Sequence, residues 1–139
     1  MPAVEDLERQ PIFAGLSHDQ VEVLAKYAEE KDVAAGTELT HEGRYEGGVV
    51  VVISGSVGIE RDGRQVDTVG PGEVFGEIAA IDGGPRTATT RALEDTHVVV
   101  VSPRQFNEIL DEAPELRTTV LSTMESRLER IDADAGSGN

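Results

Sequence analysis

The stretch VFGEIAAIDGGPRTATTRA, from Val74 to Ala92, decides how the rest of the chain is interpreted. It combines glycines, a short apolar segment and one arginine, Arg86, directly after Gly-Gly-Pro. Gly70, Gly72 and Gly76 permit a tight backbone that leads into a predicted short helical turn. The first N–H groups of such a turn lack internal partners and suit an anion, and Arg86 adds a charge-assisted, bidentate contact. The stretch therefore has the parts of a phosphate cradle.

The presence of Glu77 in this stretch needs a separate explanation, because a carboxylate in an anion site repels the anion. Its oxygens can accept a hydrogen bond from a neutral hydroxyl. A ribose hydroxyl next to a phosphate would account for a carboxylate at this place.

The composition is that of one globular domain without disulfides. A chain of 139 residues is long enough for a single core. The absence of cysteine excludes disulfide scaffolds and cysteine-based zinc sites. The acidic start MPAVEDLERQ lacks the apolar core of a secretory signal, and no apolar run approaches the roughly 20 residues of a membrane helix. We therefore expect a cytoplasmic protein that does not contact a membrane.

The charge of the chain limits the ways in which it can bind phosphate. The formal net charge is -15 at pH 7. A nucleic-acid binder needs a basic surface that displaces counterions from phosphates, and the sequence has none. The same charge repels a small anion at long range, but salt screens remote charges within about 8–10 Å. An anion site in this chain must therefore act through short-range, preorganised donors.

A helix is predicted upstream of the cradle. Ser17 and Gln20 have the spacing of a capping box, in which the two side chains satisfy free N–H groups of the first turn. Apolar residues then recur at helical spacing to about Glu29; they are Val21, Leu24, Ala25 and Ala28. Ahead of this helix, Ile12 and Phe13 can anchor a short leading segment.

Strands are predicted over residues 31–101, where short apolar runs alternate with glycine-containing turns. Asp62-Gly63 is a strong hairpin signal, because glycine tolerates the positive φ of a tight turn. Val49–Ile53 and Val98–Val101 are β-branched runs typical of buried strands. Many short strands at regular spacing predict an antiparallel barrel, roll or sandwich.

Two helices are predicted after the strands. Ser102 and Pro103 have the pattern of an N-cap followed by proline at the first helical position, and the apolar side of that helix is Phe106, Ile109 and Leu110. A second helix starts at Pro114 and carries one apolar stripe, formed by Leu116, Val120, Met124, Leu128 and Ile131. Residues 133–139 show no packing pattern and are predicted to be a disordered tail, so the predicted domain is 1–132.

Within this order of elements, FGEIAAIDGGPRTATTRA resembles the phosphate-binding cassette of cyclic nucleotide-binding domains. The family pattern is approximately F-G-E-[LI]-A, a short variable spacer and P-R-[AST]-A. The residues that fit it are Phe75, Gly76, Glu77, Ile78, Ala79, Pro85, Arg86, Thr87 and Ala88. The resemblance covers about residues 8–132. It implies an α+β, mainly β fold: an eight-stranded antiparallel β-roll (a jelly roll) with a helix before it, two helices after it and a hairpin glycine at Gly55.

The resemblance also implies what the matching residues do. Arg86 would hold the exocyclic phosphate oxygens and Glu77 the ribose 2′-hydroxyl, while N–H groups around Gly76, Ala79 and Thr87 would complete the cradle. The last helix would close over the base, and relatives that dimerise do so through this helix. Threonine at position 87 occurs in cGMP-selective and in cAMP-preferring relatives. A bacterial-type composition with only two lysines favours cAMP as the ligand, with cGMP as the alternative.

Two residues depart from the family pattern. Gly47 stands where relatives often have an acidic residue that helps to hold the arginine, and Glu46 is a nearby substitute. Ala80 stands where a larger aliphatic residue is common. Neither departure removes a phosphate ligand. They leave a second interpretation open, in which the β-roll is a degenerate interaction or assembly module that binds no nucleotide.

Our interpretation is a non-enzymatic cyclic nucleotide sensor. Ligand would shift the population toward a state with the last helix closed, and the output would go to an unidentified protein effector or a homodimer partner. No nucleophile–base or acid–base set is visible. A cupin-type enzyme is the third class, but His18, His41 and His97 are dispersed, so no metal is expected. About eight residues follow Ile131, too few for the helix-turn-helix of DNA-binding relatives, so no nucleic acid is expected.

Overall fold

Eight antiparallel strands form the centre of the structure. The computed structural model describes residues 4–41, 43, 48–76, 88–122 and 125–126. The strands of this part of the chain are β1 (Ala28–Val33), β2 (Glu38–Thr40), β3 (Val49–Ser54), β4 (Val57–Arg61), β5 (Arg64–Val69), β6 (Val74–Phe75), β7 (Thr89–Ala92) and β8 (Thr96–Val101). Sheet A has the order β1-β8-β3-β6 and sheet B the order β2-β7-β4-β5. The predicted eight-stranded β-roll is confirmed.

Helices precede and follow the strands along the chain. They are α1 (Val4–Glu8), a 3-10 turn (Pro11–Phe13), α2 (His18–Tyr27), α3 (Pro103–Glu112) and the last helix, which is described over 114–122. None of these helices has the length and the apolar character that crossing a bilayer requires. The sequence pattern does not predict α1, because five residues are too few to show a helical period.

The N-terminal ends of α2 and α3 are capped as predicted. The Ser17 hydroxyl accepts a hydrogen bond from the Gln20 N–H, and the Gln20 side chain accepts one from the Ser17 N–H at 2.9 Å. In α3 the Ser102 hydroxyl accepts from the Gln105 N–H, with proline at the first helical position. The predicted end of α2 near Glu29 is wrong. The chain pairs with β8 from Ala28 onward and becomes β1.

Strand β3 of sheet A is covered on both of its faces. Successive residues of a strand point to opposite faces, and in β3 both sets are apolar. Val49 and Val51 belong to the outer cluster, between sheet A and the helices, while Val50 and Val52 belong to the inner cluster, between the two sheets. A strand buried on both faces reads as a continuous apolar run, which explains the pattern of Val49–Ile53.

The helix faces predicted from spacing line the outer cluster. The buried helical residues there are Leu7, Val21, Leu24, Ala25, Phe106, Ile109, Leu110, Leu116 and Val120. The remaining residues of the predicted stripe, Met124, Leu128 and Ile131, lie outside the described residues, as does the predicted tail over 133–139. The described part of the stripe is therefore core.

Two turns of the roll have the backbone that their glycines predict. Asp62 and Gly63, between β4 and β5, have φ values of 54° and 80°, so both central residues have the positive φ of a type I′ hairpin. Gly55, between β3 and β4, has φ +95°. A Cβ atom on Gly55 would lie 2.7 Å from the Thr96 Cα and 2.8 Å from the Asp95 carbonyl oxygen. Both backbone geometry and space therefore require glycine at position 55.

We expect Gly55→Ala to destabilise the domain more than Gly36→Ala does. Gly36 has a similar φ of +89°, but a Cβ there would meet no heavy atom within 4 Å. Gly36→Ala should cost about 1–3 kcal/mol of strain, and Gly55→Ala about 1–3 kcal/mol more from overlap with backbone. Urea unfolding of both variants measures the difference. Equal losses would show that the close approach of β8 does not restrict position 55.

Candidate functional site

The structure describes both ends of the candidate cassette, which we define as residues 75–88. Phe75, Gly76 and Ala88 are described. The other predicted site residues lie outside the described residues, and they are Glu77, Ile78, Ala79, Pro85, Arg86 and Thr87. The two departures, at Gly47 and Ala80, and the nearby Glu46 also lie outside them. The roles of these residues stay predictions.

A hydrogen-bonded turn precedes the cassette. The Glu73 N–H donates to the Gly70 carbonyl at 3.1 Å, and the Gly70 N–H donates to the Glu73 carboxylate at 2.9 Å. Pro71 and Gly72, with φ +85° at Gly72, occupy the central positions of this turn, as in a type II turn. The Gly72 N–H also donates to the Val52 carbonyl at 2.9 Å. The turn is thereby held on sheet A, directly before β6.

β6 carries the chain into the cassette. Val74 pairs with Val51 and Phe75 with Val50, so this two-residue strand is the edge of sheet A. The Val74 side chain packs in the outer cluster and the Phe75 side chain in the inner cluster. Gly76 follows with φ +89°, in the region that favours glycine.

The C-terminal end of the cassette lies in the same core. The Ala88 side chain is buried in the inner cluster that also contains Phe75. The Thr40 hydroxyl donates to the Ala88 carbonyl at 3.2 Å, and the Thr40 and Thr90 hydroxyl oxygens are 2.8 Å apart. Nothing in the sequence marks these two threonines, because isolated threonines are ordinary in strands. Both ends of the cassette are thus anchored between the two sheets.

Two surface cavities are lined by described residues, and the lining of the second includes Thr89, the residue that follows Ala88. One, of about 430 Å³, lies beside His97 and Asp32 of sheet A. The other, of about 540 Å³, surrounds Arg91 of sheet B, whose guanidinium nitrogens lie 3.1 Å from Glu60 and 3.5 Å from Glu38. Phe75, Gly76 and Ala88, the described residues among those predicted to bind ligand, line neither cavity.

A known protein family matches the part of the chain that forms this β-roll. The model of the family described as "Cyclic nucleotide-binding domain" matches residues 30–113, which is more than half of the chain. The chain belongs to the cyclic nucleotide-binding domain family. The match contains the whole cassette and seven of the eight strands in full.

Individual relatives of this cyclic nucleotide-binding domain include regulators. It is 29% identical over 133 residues to the CRP-like cAMP-activated global transcriptional regulator of Mycobacterium tuberculosis, which covers 92% of this chain and 59% of that protein. The solved structure of cAMP-bound PfPKA-R has a TM-score of 0.86 at 20% identity, over 95% of this chain and 46% of that one. The regulatory domain of Toxoplasma gondii PKA with cAMP has a TM-score of 0.73 at 29% identity, over 84% and 46%. The chain therefore spans about three-fifths of the regulator's length.

The histidines of the domain pair with carboxylates. His18 lies beside Glu8 and Glu22, His41 beside Glu38, and His97 beside Asp32 and Glu30. The hydrogen bond to Glu8 raises the pKa of His18. Within the described ranges, no three or more His, Asp or Glu side chains are grouped so that they could hold a metal ion.

His97 links strand β8 to the edge strand β1. Its Nδ1 lies 2.7 Å from the Asp32 carboxylate and its Nε2 lies 3.3 Å from the Glu30 carboxylate. Since both ring nitrogens face acceptors, the geometry favours the doubly protonated ring. The hydrogen bond to Asp32, supported by Glu30, raises the pKa of His97 above 6.5, although burial opposes this shift.

We expect the contribution of His97 to stability to be present at pH 6 and lost at alkaline pH. A raised pKa stabilises the fold fully below the unfolded value, near 6.5, and the gain disappears as the pH rises through the folded value. The free energy of unfolding of wild type should exceed that of His97→Gln by about 0.5–1 kcal/mol at pH 6 and by less at pH 9. Urea unfolding at both pH values measures this, and the contribution of His18 cancels in the difference. A gap that does not change with pH would contradict the charged pairing.

Proposed function

We propose that this domain binds a cyclic nucleotide, cAMP in the first instance, and acts as a non-enzymatic sensor. The observation that carries the proposal is the F-G-E-I-A and P-R-T-A pattern within the part of the chain that matches the family. The regulatory domain of Toxoplasma gondii PKA, 29% identical and solved with cAMP, supports the choice of ligand, as does the cAMP-activated regulator of Mycobacterium tuberculosis. The anchoring of Phe75 and Ala88 in one core supports a fixed cassette.

The recognition chemistry follows from the charges of ligand and protein. A cyclic phosphate carries one negative charge, and the chain carries a net -15. Arg86 would supply a fixed cation with two parallel N–H donors for the exocyclic oxygens. Glu77 would accept a hydrogen bond from the ribose 2′-hydroxyl, and N–H groups near Gly76, Ala79 and Thr87 would complete the cradle. These contacts act at short range, where remote acidic residues are screened.

A structural route from the cassette to the helices supports a sensor rather than a passive binding module. Val74 packs in the outer cluster together with Leu116 and Val120 of the last helix. Its neighbour Phe75 begins the cassette. Occupancy that shifts Phe75 would therefore change the packing of the last helix, and a ligand with higher affinity for one position of that helix shifts the population. The output would be a surface read by a protein effector or by a second copy of the domain.

The alternative function is an interaction or assembly module that binds no nucleotide. Gly47 and Ala80 favour it, because both depart from the pattern that supports the arginine and the cradle. Nucleotide affinity separates the two candidate functions.

We expect Arg86→Ala to lower cAMP affinity about 30–150-fold. The variant removes charge-assisted hydrogen bonds worth about 2–3 kcal/mol. Arg104→Ala is the matched control, because it removes the same charge from an exposed position on α3. Calorimetric titration of wild type and both variants with cAMP and cGMP measures the effect.

A loss below about threefold in folded Arg86→Ala would contradict the assigned role of this arginine. Failure of folded wild type to bind either nucleotide would instead favour the interaction module. A comparable loss in Arg104→Ala would attribute the effect to net charge rather than to a direct contact.

We expect Thr87→Val to weaken cGMP binding more than cAMP binding. The hydroxyl can bond a phosphate oxygen in both ligands, but only guanine in the syn conformation offers an amino group to it. Loss of that additional hydrogen bond should cost cGMP about fivefold more than cAMP. Titration of the variant with each nucleotide gives the ratio, and an unchanged ratio would show that Thr87 does not contact the base.

A further inference from the structure

A chain of two buried hydroxyls ends at the cassette. Thr40 of β2 and Thr90 of β7 are each 4% exposed. The Thr40 oxygen lies 2.8 Å from the Thr90 oxygen and 3.2 Å from the Ala88 carbonyl oxygen. A carbonyl only accepts and a hydroxyl has a single proton, so Thr40 donates to Ala88 and Thr90 donates to Thr40. The hydrogen bonds therefore run in one direction, from Thr90 through Thr40 to Ala88.

This contact depends on an irregularity in the pairing of β2 with β7. Glu38 is opposite Arg91, so a regular antiparallel ladder would place Thr40 opposite Thr89. Thr40 is instead opposite Thr90, because the register shifts by one residue between Glu38 and Thr40, as at a β-bulge. Successive residues of a strand face opposite sides. The shift therefore brings Thr40 to the buried Thr90.

The donor end of the chain is fixed by sheet B. Thr90 pairs with Ile59 of β4 on one side and with Thr40 of β2 on the other. Two valines would fill a similar space without burying hydroxyl groups, whose burial is unfavourable unless they are hydrogen-bonded. Beyond packing, the threonine pair fixes the position of one backbone carbonyl, that of Ala88, by a hydrogen bond.

We propose that Thr40 and Thr90 are positioning residues for the nucleotide site. They hold the backbone at Ala88, two residues after Arg86, and so restrict the positions from which Arg86 can reach a phosphate. This inference rests on the proposed function. Small displacements matter here, because a bidentate contact requires close alignment of donors and acceptors.

The test compares Thr40→Val with a matched threonine in sheet A. Thr96 is 3% exposed and its hydroxyl lies 2.8 Å from the Glu94 carbonyl, so Thr96→Val removes an equally buried hydroxyl that does not contact the cassette. Thr40→Ser keeps the hydroxyl. We measure cAMP affinity by calorimetry and amide hydrogen exchange over residues 88–92 in the nucleotide-free protein.

We expect Thr40→Val to weaken cAMP binding about three- to tenfold and to speed exchange over 88–92. Thr40→Ser should retain most of the wild-type affinity for cAMP. Thr96→Val should lower the stability of the domain but not its affinity for cAMP. If Thr40→Val does not fold, Thr90→Val, which removes the donor to Thr40, should show the same losses to a smaller degree.

Three outcomes overturn the inference. Wild-type affinity in Thr40→Val leaves the proposed function intact but removes the positioning role. Equal losses in Thr40→Val and Thr96→Val would show that affinity follows overall stability. Wild type that binds neither cAMP nor cGMP refutes the proposed function itself, and the positioning role with it.

Discussion

The burial of β3, an inner strand of sheet A, on both faces is the constraint on which the rest of the structure depends. In β3, Val50 and Val52 contact sheet B while Val49 and Val51 contact the helices. Each buried valine side chain is worth about 1.5–3 kcal/mol, so exposing either face is costly. Helices, sheet A and sheet B therefore form a stack in which the central layer cannot move without changing the packing of both outer layers.

This stack gives the cassette a mechanical connection to the helices. β6 has two residues, and each faces a different layer. Because the interior is close-packed, a displacement of Phe75 cannot be absorbed by empty space and must be shared with Val74. Val74 in turn contacts the cluster that contains Leu116 and Val120. Under the proposed function, a ligand that displaced Phe75 would therefore act on the last helix through the adjacent Val74.

Sequence patterns predict the parts of this fold that depend on neighbouring residues. They fail where pairing with a strand distant in sequence determines the local structure. The capping box at Ser17 and the hairpin at Asp62-Gly63 need only adjacent residues, and both are present. Ala28 continues the helical spacing of α2, yet its pairing with Val101 of β8 makes it the first residue of β1. The cassette is recognisable from the pattern of its own residues. The hydroxyl of Thr40 is not, because its partner is set by a register shift between strands some fifty residues apart.

The acidic surface imposes a requirement on the proposed anion site. Four arginines of the described ranges lie beside carboxylates, namely Arg9, Arg91, Arg104 and Arg117. A guanidinium that is paired in this way has lost much of its capacity for a phosphate, since its donors are occupied. At physiological salt the remote charges are screened within about 8 Å, so the field as a whole matters less than the nearest carboxylate. The proposed phosphate site would require Arg86 to keep its donors away from such partners before ligand binds, and a fixed backbone at Ala88 would favour this by restricting the positions open to that side chain.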